Sequence, residues 1–325
     1  MVPQNFAGRG CFALNTPAWQ GLLRAMTQAD QNIYKGAFLM LLAGLCFVAV
    51  TALVKLLDGR VPASEAAFLR YIMGVVLFLP MLRGVLRTQL TGRQWRLIGM
   101  RGIVHAVGVS LWFYAMTRIP LAEVTSLGYL TPAFVTVGAV FVLGERLAVR
   151  RVLAVVCALL GALVIVRPGF RALEPGHLAM LATSVFFAIS YLTAKILADE
   201  VPATLIVATL SVSVTIGLVP LAWPVWVTPD GYALLVLFGV ACAATLGHFL
   251  MTLAFREAPI TVTQPVTYLQ LVWAVALGAL VFAEPVDLWV IFGGSIILAA
   301  VSFITWREAV LKRRPLTPVS TATKL

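Results

Sequence analysis

Ten apolar runs, each close to twenty residues, follow one another along the chain at 36–57, 64–84, 96–116, 121–143, 150–167, 177–198, 203–223, 232–254, 259–283 and 288–306. A hydrocarbon layer of ~30 Å is crossed by about twenty residues of helix rising 1.5 Å each. Runs of this length predict spans. A transmembrane barrel would instead alternate polar and apolar residues over segments of ~10. A water-soluble globule is set aside by composition, since 61% of the 325 residues are hydrophobic and 11% charged, against about 25% charged in soluble domains. The expected fold is all-α integral membrane, with ten transmembrane helices.

The net charge of +11 comes from 24 Lys and Arg against 13 Asp and Glu. In a soluble chain such an excess suggests nucleic acid, but in a membrane chain the positive-inside rule accounts for it first, and no nucleic-acid partner is expected. With the N-terminus in the cytoplasm, only Arg60, Arg118, Arg167 and Arg171 lie on the opposite side, while Lys55, Arg70, Arg101 and Lys195 fall within spans. Both termini are therefore predicted cytoplasmic, although the connection 199–202, which should share that side, is acidic. Residues 1–35 read as a cytoplasmic tail without the apolar region and cleavage site of a signal peptide, and Met26 is an alternative start. Residues 307–325 read as a basic cytoplasmic tail.

The chain also matches itself. Shifted by 140 residues, 36–80 aligns with 176–220 without a gap, and Gly36/Gly176, Phe47/Phe187, Lys55/Lys195, Pro62/Pro202 and Pro80/Pro220 coincide. Shifted by 139, Pro120/Pro259, Tyr129/Tyr268 and Glu145/Glu284 superpose. Each half, 36–167 and 177–306, holds five helices. Five is odd, so the second half enters the membrane from the opposite side, which gives two inverted five-helix repeats. That arrangement suits alternating access around a site at the midplane.

In their order, Phe68-Leu-Arg70, Arg101-Gly102, Trp112-Phe-Tyr114, Pro120 and Gly144-Glu145, followed by Ala258-Pro259, Tyr268-Leu-Gln270 and Glu284, resemble the EamA type of the drug/metabolite transporter superfamily. Ala283 departs from the pattern where the first half has Gly144. The resemblance implies an inner-membrane metabolite transporter with a central cavity between helices one to four and six to nine, and with helices five and ten packed outside. It admits export of amino acids and related metabolites, and also uptake of solutes such as riboflavin or S-adenosylmethionine.

Candidate substrate-path residues follow from depth and side-chain chemistry. Tyr129 and Tyr268 lie ~12–14 Å from opposite faces. Thr125, Gln264, Gln270 and Trp273 stand on the same two helices, and Tyr191 and Trp112 are candidate walls. Such residues either bond between helices or line a cavity. Arg70 can hold a carboxylate or phosphate bidentately, or cap carbonyls at a helix end. Glu123, His105 and His248 are candidates for proton coupling, against a solvated helix N-terminus for Glu123 and satisfied core histidines for the other two. His105 and His248 are taken as the only histidines within spans. Lys55 and Lys195 read as snorkelling side chains, with a gate or loop contact as the alternative, and Arg101 reads as an anchor at the cytoplasmic face.

Other chemistry is not expected. The four cysteines are scattered without a CxxC, so neither a disulfide nor a metal site is read. No phosphate-binding loop, HExxH or GxSxG occurs, so no catalytic residue or cofactor is expected, and a membrane enzyme or scaffold is the rival class. The expected partners are a small-molecule substrate and the lipid bilayer, and small residues at Cys157/Gly161 and Gly293–Gly294 permit a homodimer without requiring one.

Overall fold

The computed structural model describes residues 17–87, 89–143, 149–170, 172–198, 200–258, 266–267 and 269–312. The described chain is helical throughout. Its α-helices are α1 (Pro17–Leu56), α2 (Ala63–Arg87), α3 (Gly92–Met116), α4 (Leu121–Gly128), α5 (Thr131–Leu143), α6 (Val149–Val166), α7 (Pro175–Ala198), α8 (Ala203–Ala222), α9 (Gly231–Glu257), α10 (Leu269–Val281) and α11 (Leu288–Lys312). Among the described residues, seven helical stretches are long and apolar enough to cross a membrane, and Leu269–Val281 and Leu288–Ile304 are shorter apolar helices. The stretch Leu121–Val142 counts as one span although it contains the junction of α4 and α5. With that pair counted once, the described residues form ten α-helices.

Local chemistry sets the helix ends. Thr91 opens α3 with a capping box, accepting from the Gln94 backbone N–H while the Gln94 side chain accepts from the Thr91 backbone. Asp230 opens α9, its Oδ1 accepting from Ala233 N at 2.7 Å. Pro120 and Pro202 stand at the caps of α4 and α8, where the missing N–H costs nothing. After α1 the chain turns sharply through Asp58 (φ +45°) and Gly59 (φ +73°), and only glycine adopts the second value without strain.

The interruption between α4 and α5 has a definite cause. Pro132 has no N–H to give to Gly128, so the ladder lapses there. Leu130 N instead reaches Leu127 O at 3.0 Å, and Phe134 N resumes on Leu130 O at 3.0 Å. Tyr129 sits at the break, as the C-cap of α4.

The packing is largely between halves. α1 lies on α9, α3 on α7 and α8, α2 on α8 and α9, α5 on α7, α4 on α10, and α6 on α11. One core joins both halves, with Phe113, Met116, Leu127 and Ile165 fully buried beside Leu218 and Leu237. The contact of α6 with α11 is backbone to backbone, because a Cβ built on Gly161 would lie 2.7 Å from the Gly293 carbonyl oxygen. Gly294 faces Ser126 and Leu271 in the same way. These glycines were expected to be available to a second copy. They are consumed within the chain, so they give no support to a homodimer.

α1 is helical from Pro17, and its apolar stretch is Ile33–Leu56. Another expectation needs correction. The helix containing His177 begins at Pro175, which makes that histidine the third inside a helical span.

Candidate functional site

Two groups of polar side chains stand out. The first is at the end of the bundle that holds the turns 57–62, 117–120 and 282–287, called here the distal end. Lys55, in the last turn of α1, forms an ion pair with Glu284 and also donates to Ile119 O at 3.3 Å. The other oxygen of Glu284 accepts from Leu121 N at 3.0 Å, at the first turn of α4. One carboxylate thus ties the α10–α11 connection to α1 and to the positive end of α4. Lys55 was expected to snorkel toward headgroups; its pairing overturns that reading.

Further pairs surround this one. Arg167 pairs with Asp287, and Arg60 Nη1 lies 3.3 Å from Asp230 Oδ2. Glu65 Oε2 accepts from Val227 N at 2.8 Å. Glu123 Oε2 lies 2.5 Å from His177 Nε2, with both side chains almost wholly buried. The solvated terminus expected for Glu123 is therefore wrong. The signal for His177 was its place three residues after Glu174, whose N–H donates to His177 Nδ1 at 3.1 Å. A cavity of about 310 Å³ at this end is lined by Arg118, Glu123, Glu174, His177, Glu284 and Asp287, among others.

The second group lies at mid-depth. His105 on α3 has both ring nitrogens engaged, one 3.1 Å from the Tyr71 hydroxyl on α2 and the other 3.0 Å from Ser190 Oγ on α7. Its ring stacks on Phe187 at 4.7 Å between centroids. Phe187 in turn stacks on Tyr191 and meets Trp112 edge-on, each at 6.2 Å. Arg70 lays its guanidinium over the Tyr71 ring at 4.0 Å and lies within electrostatic reach of His105 and His248. Arg101 is buried, donating to Ile206 O at 3.2 Å. The expected anchor at the membrane face is thus inside the bundle.

A second Phe–His contact joins α1 and α9. Phe47 on α1 meets the His248 ring edge-on at 5.0 Å, whereas Phe187 on α7 stacks on His105. His248 Nδ1 is 2.7 Å from Ala244 O. Tyr129 donates from its hydroxyl to Thr267 O at 3.0 Å, joining the broken helix to the segment before α10. Gln270 packs on α1 at Gly44, where a Cβ would lie 3.0 Å from its Cγ.

Tyr191 keeps 48% of its surface accessible, and His248 is likewise exposed.

Not every expected residue joins this cluster. Thr125 gives its hydroxyl to Leu121 O within its own helix. Trp273 is partly exposed on α10, and no described contact connects it to the cluster. Tyr268 and Gln264 lie outside the described residues. Tyr71, Phe187 and Ser190 were missed, although the repeat match of Phe47 with Phe187 had marked one of them. Among the described residues no group of His, Cys, Asp and Glu could hold a metal ion.

Fold and cluster together define a polytopic helical membrane protein with a polar, aromatic interior open to small molecules. The sequence profile of the EamA-like transporter family matches residues 34–167 and again 174–306. The chain belongs to that family and carries two copies of its domain. It is 29% identical to a riboflavin transporter of Vibrio cholerae over 86% of this chain and 96% of that one. It is 27% identical to an S-adenosylmethionine uptake transporter of Rickettsia felis, covering 87% and 96%. It is 30% identical to a pseudopaline exporter of Pseudomonas aeruginosa, covering 82% and 94%. A solved crystal structure shares the fold at a TM-score of 0.56 and 17% identity, covering 85% of this chain and 98% of that one.

Proposed function

We propose that the chain is a gradient-driven transporter that carries a small organic metabolite across the inner membrane by alternating access, with both termini cytoplasmic. The substrate path runs through the cluster of Arg70, Tyr71, His105, Phe187, Tyr191 and His248, and Tyr129, Tyr268 and Gln270 are further candidates for it. The observation that carries this reading is the polar and aromatic cluster between helices, with His105 held by Tyr71 and Ser190 and stacked in line with Phe187 and Tyr191. A binding site between helices needs aromatic walls with a few fixed polar groups.

Two inverted five-helix repeats are part of the proposal. The pairing of α1 with α9 has its counterpart in α7 with α3, and each pair carries a Phe–His ring contact from the equivalent Phe47 and Phe187, with the histidines one helical turn out of register. An in-plane pseudo-two-fold axis generates such reciprocal contacts. The expected side for the distal end is then the outer one.

Export of an amino acid or related metabolite is the broad reading, and vitamin or cofactor uptake is the alternative that the riboflavin and S-adenosylmethionine relatives favour. Uptake of labelled riboflavin by an auxotrophic bacterium expressing the chain, beside Tyr191→Ala, separates the two. Uptake lost with Tyr191→Ala establishes import through this path. No uptake by a membrane-inserted parent chain leaves export, which resistance to toxic amino-acid analogues then tests. Sidedness tags at 88–92 and 226–230 on the same face of the membrane would refute the inverted repeat.

A further inference from the structure

The mid-depth cluster contains two guanidinium groups and no carboxylate. Arg70 lies ~10 Å along α2 from its first residue, and Arg101 ~13 Å along α3. All 13 acidic residues of the sequence fall outside the spans or within their first or last turns. The nearest along α2 is Glu65, which is rotated about 140° from Arg70 on the helix and already bonds Val227 N. Among the described ion pairs, none includes Arg70 or Arg101.

A charge within the hydrocarbon zone costs ~2.5–3.5 kcal/mol on insertion scales and persists where it is paired or used. Arg101 is partly accounted for by Ile206 O, yet its buried Nε has no partner among the described residues. The described contact of Arg70 is the Tyr71 ring, 4.0 Å from its guanidinium carbon, and a guanidinium carries five N–H donors in a fork that fits two oxygens of one acid group. His105, within electrostatic reach of Arg70, continues into the stacked rings of Phe187 and Tyr191.

We propose that the cluster binds an organic anion, with its carboxylate or phosphate on Arg70 and its unsaturated body against Phe187 and Tyr191. Arg101 supplies the second positive charge from the wall behind. This rests on the transporter reading, since it names the substrate class of the same path. A bound anion supplies Arg70 with a counter-charge that a neutral analogue of equal shape does not, which gives the cluster an affinity for acids.

The test uses the purified full chain in lipid nanodiscs, with phenyl phosphate and benzoate as probes and phenol and benzamide as their uncharged counterparts. Thermal unfolding is followed as each is titrated, and the same compounds are offered to proteoliposomes. The expected result is a rise in melting temperature with the two anions only. The half-saturating concentration should increase at least tenfold in Arg70→Gln and by a smaller factor in Arg70→Lys, which keeps the charge and loses the fork. Equal response to the uncharged partners, no response to either anion, or an unchanged response in both Arg70 variants overturns the proposal. Anion binding that depends on Arg70 without transport of any probe upholds the site and counts against the transporter reading. Transport of the uncharged compounds alone, unaffected by either variant, overturns the anion proposal and leaves the transporter reading standing.

Discussion

The distal end and the centre of the bundle treat charge in opposite ways. At the distal end Lys55, Arg167 and Arg60 each meet an acid, in Lys55–Glu284, Arg167–Asp287 and Arg60–Asp230. At the centre the described neighbours of Arg70 and Arg101 are an aromatic ring and a carbonyl. Pairs at the rim hold helices from both halves together, whereas the interior cations have no acid partner among the described ion pairs.

The largest expected effect is at the rim. Glu284→Ala leaves the mostly buried Lys55 without its partner and frees Leu121 N, which should cost about 3 kcal/mol. Lys55→Ala should cost a similar amount, and the double variant less than the sum by more than ~1 kcal/mol, read by reversible unfolding in mixed micelles. Strict additivity would mean that the pair does not hold the rim. The repeat maps this pair onto Lys195 and Glu145, the latter outside the described residues, and a comparable coupling there would extend the comparison to the other end of the bundle.

Next comes His177→Ala, which strips the buried Glu123 carboxylate of its partner and should lower stability by about 2 kcal/mol. Glu123→Gln, which keeps a hydrogen-bonding oxygen, should cost less. Tyr129→Phe removes one neutral hydrogen bond to Thr267 O and should cost about 1 kcal/mol. Arg70→Gln is the sharpest contrast with the rim, since removal of an unpaired interior charge should leave stability within ~1 kcal/mol of the parent or raise it, while binding fails. A loss as large as that of Glu284→Ala would erase the distinction between the two regions.

The smallest effect is at the opposite, proximal end, where Glu200 accepts from Arg93 and, at 3.1 Å, from Gln94 Nε2. These bonds hold its carboxyl below the usual carboxylate range. A depressed pKa in the folded chain means that the contribution is present above the ordinary carboxylate pKa and fades as pH falls through the depressed value. Because the carboxyl is solvent-exposed, the effect is slight. Arg93→Ala should return the Glu200 titration toward its normal position, as followed by NMR of a labelled side chain.

Much of the fold was legible because a bilayer imposes length and apolarity on every span, and ten runs of that kind have few other uses. The site was legible in part. Arg70, His105, His248, Tyr191 and Trp112 were singled out because polar groups at depth are costly and therefore informative. Glu123 and Lys55 were misread because each was judged by its own helix position. Burial and partner are properties of the neighbouring helices, and His177 and Glu284 come from sequence distances of 54 and 229 residues. The same holds for Gly161 and Gly293, whose closeness no single-helix pattern reveals.

The sequence by itself determined the helical membrane class and the internal match of the two halves, since hydropathy, helix rise and residue identity are properties of the chain alone. Tertiary structure decided which charges are paired and which stand alone, because electrostatic partners in a bundle are set by helix contacts between halves. The Lys55–Glu284 tie, the Glu123–His177 contact and the stack of His105 on Phe187 exist only once α1, α3, α4, α7 and the α10–α11 connection have been brought together.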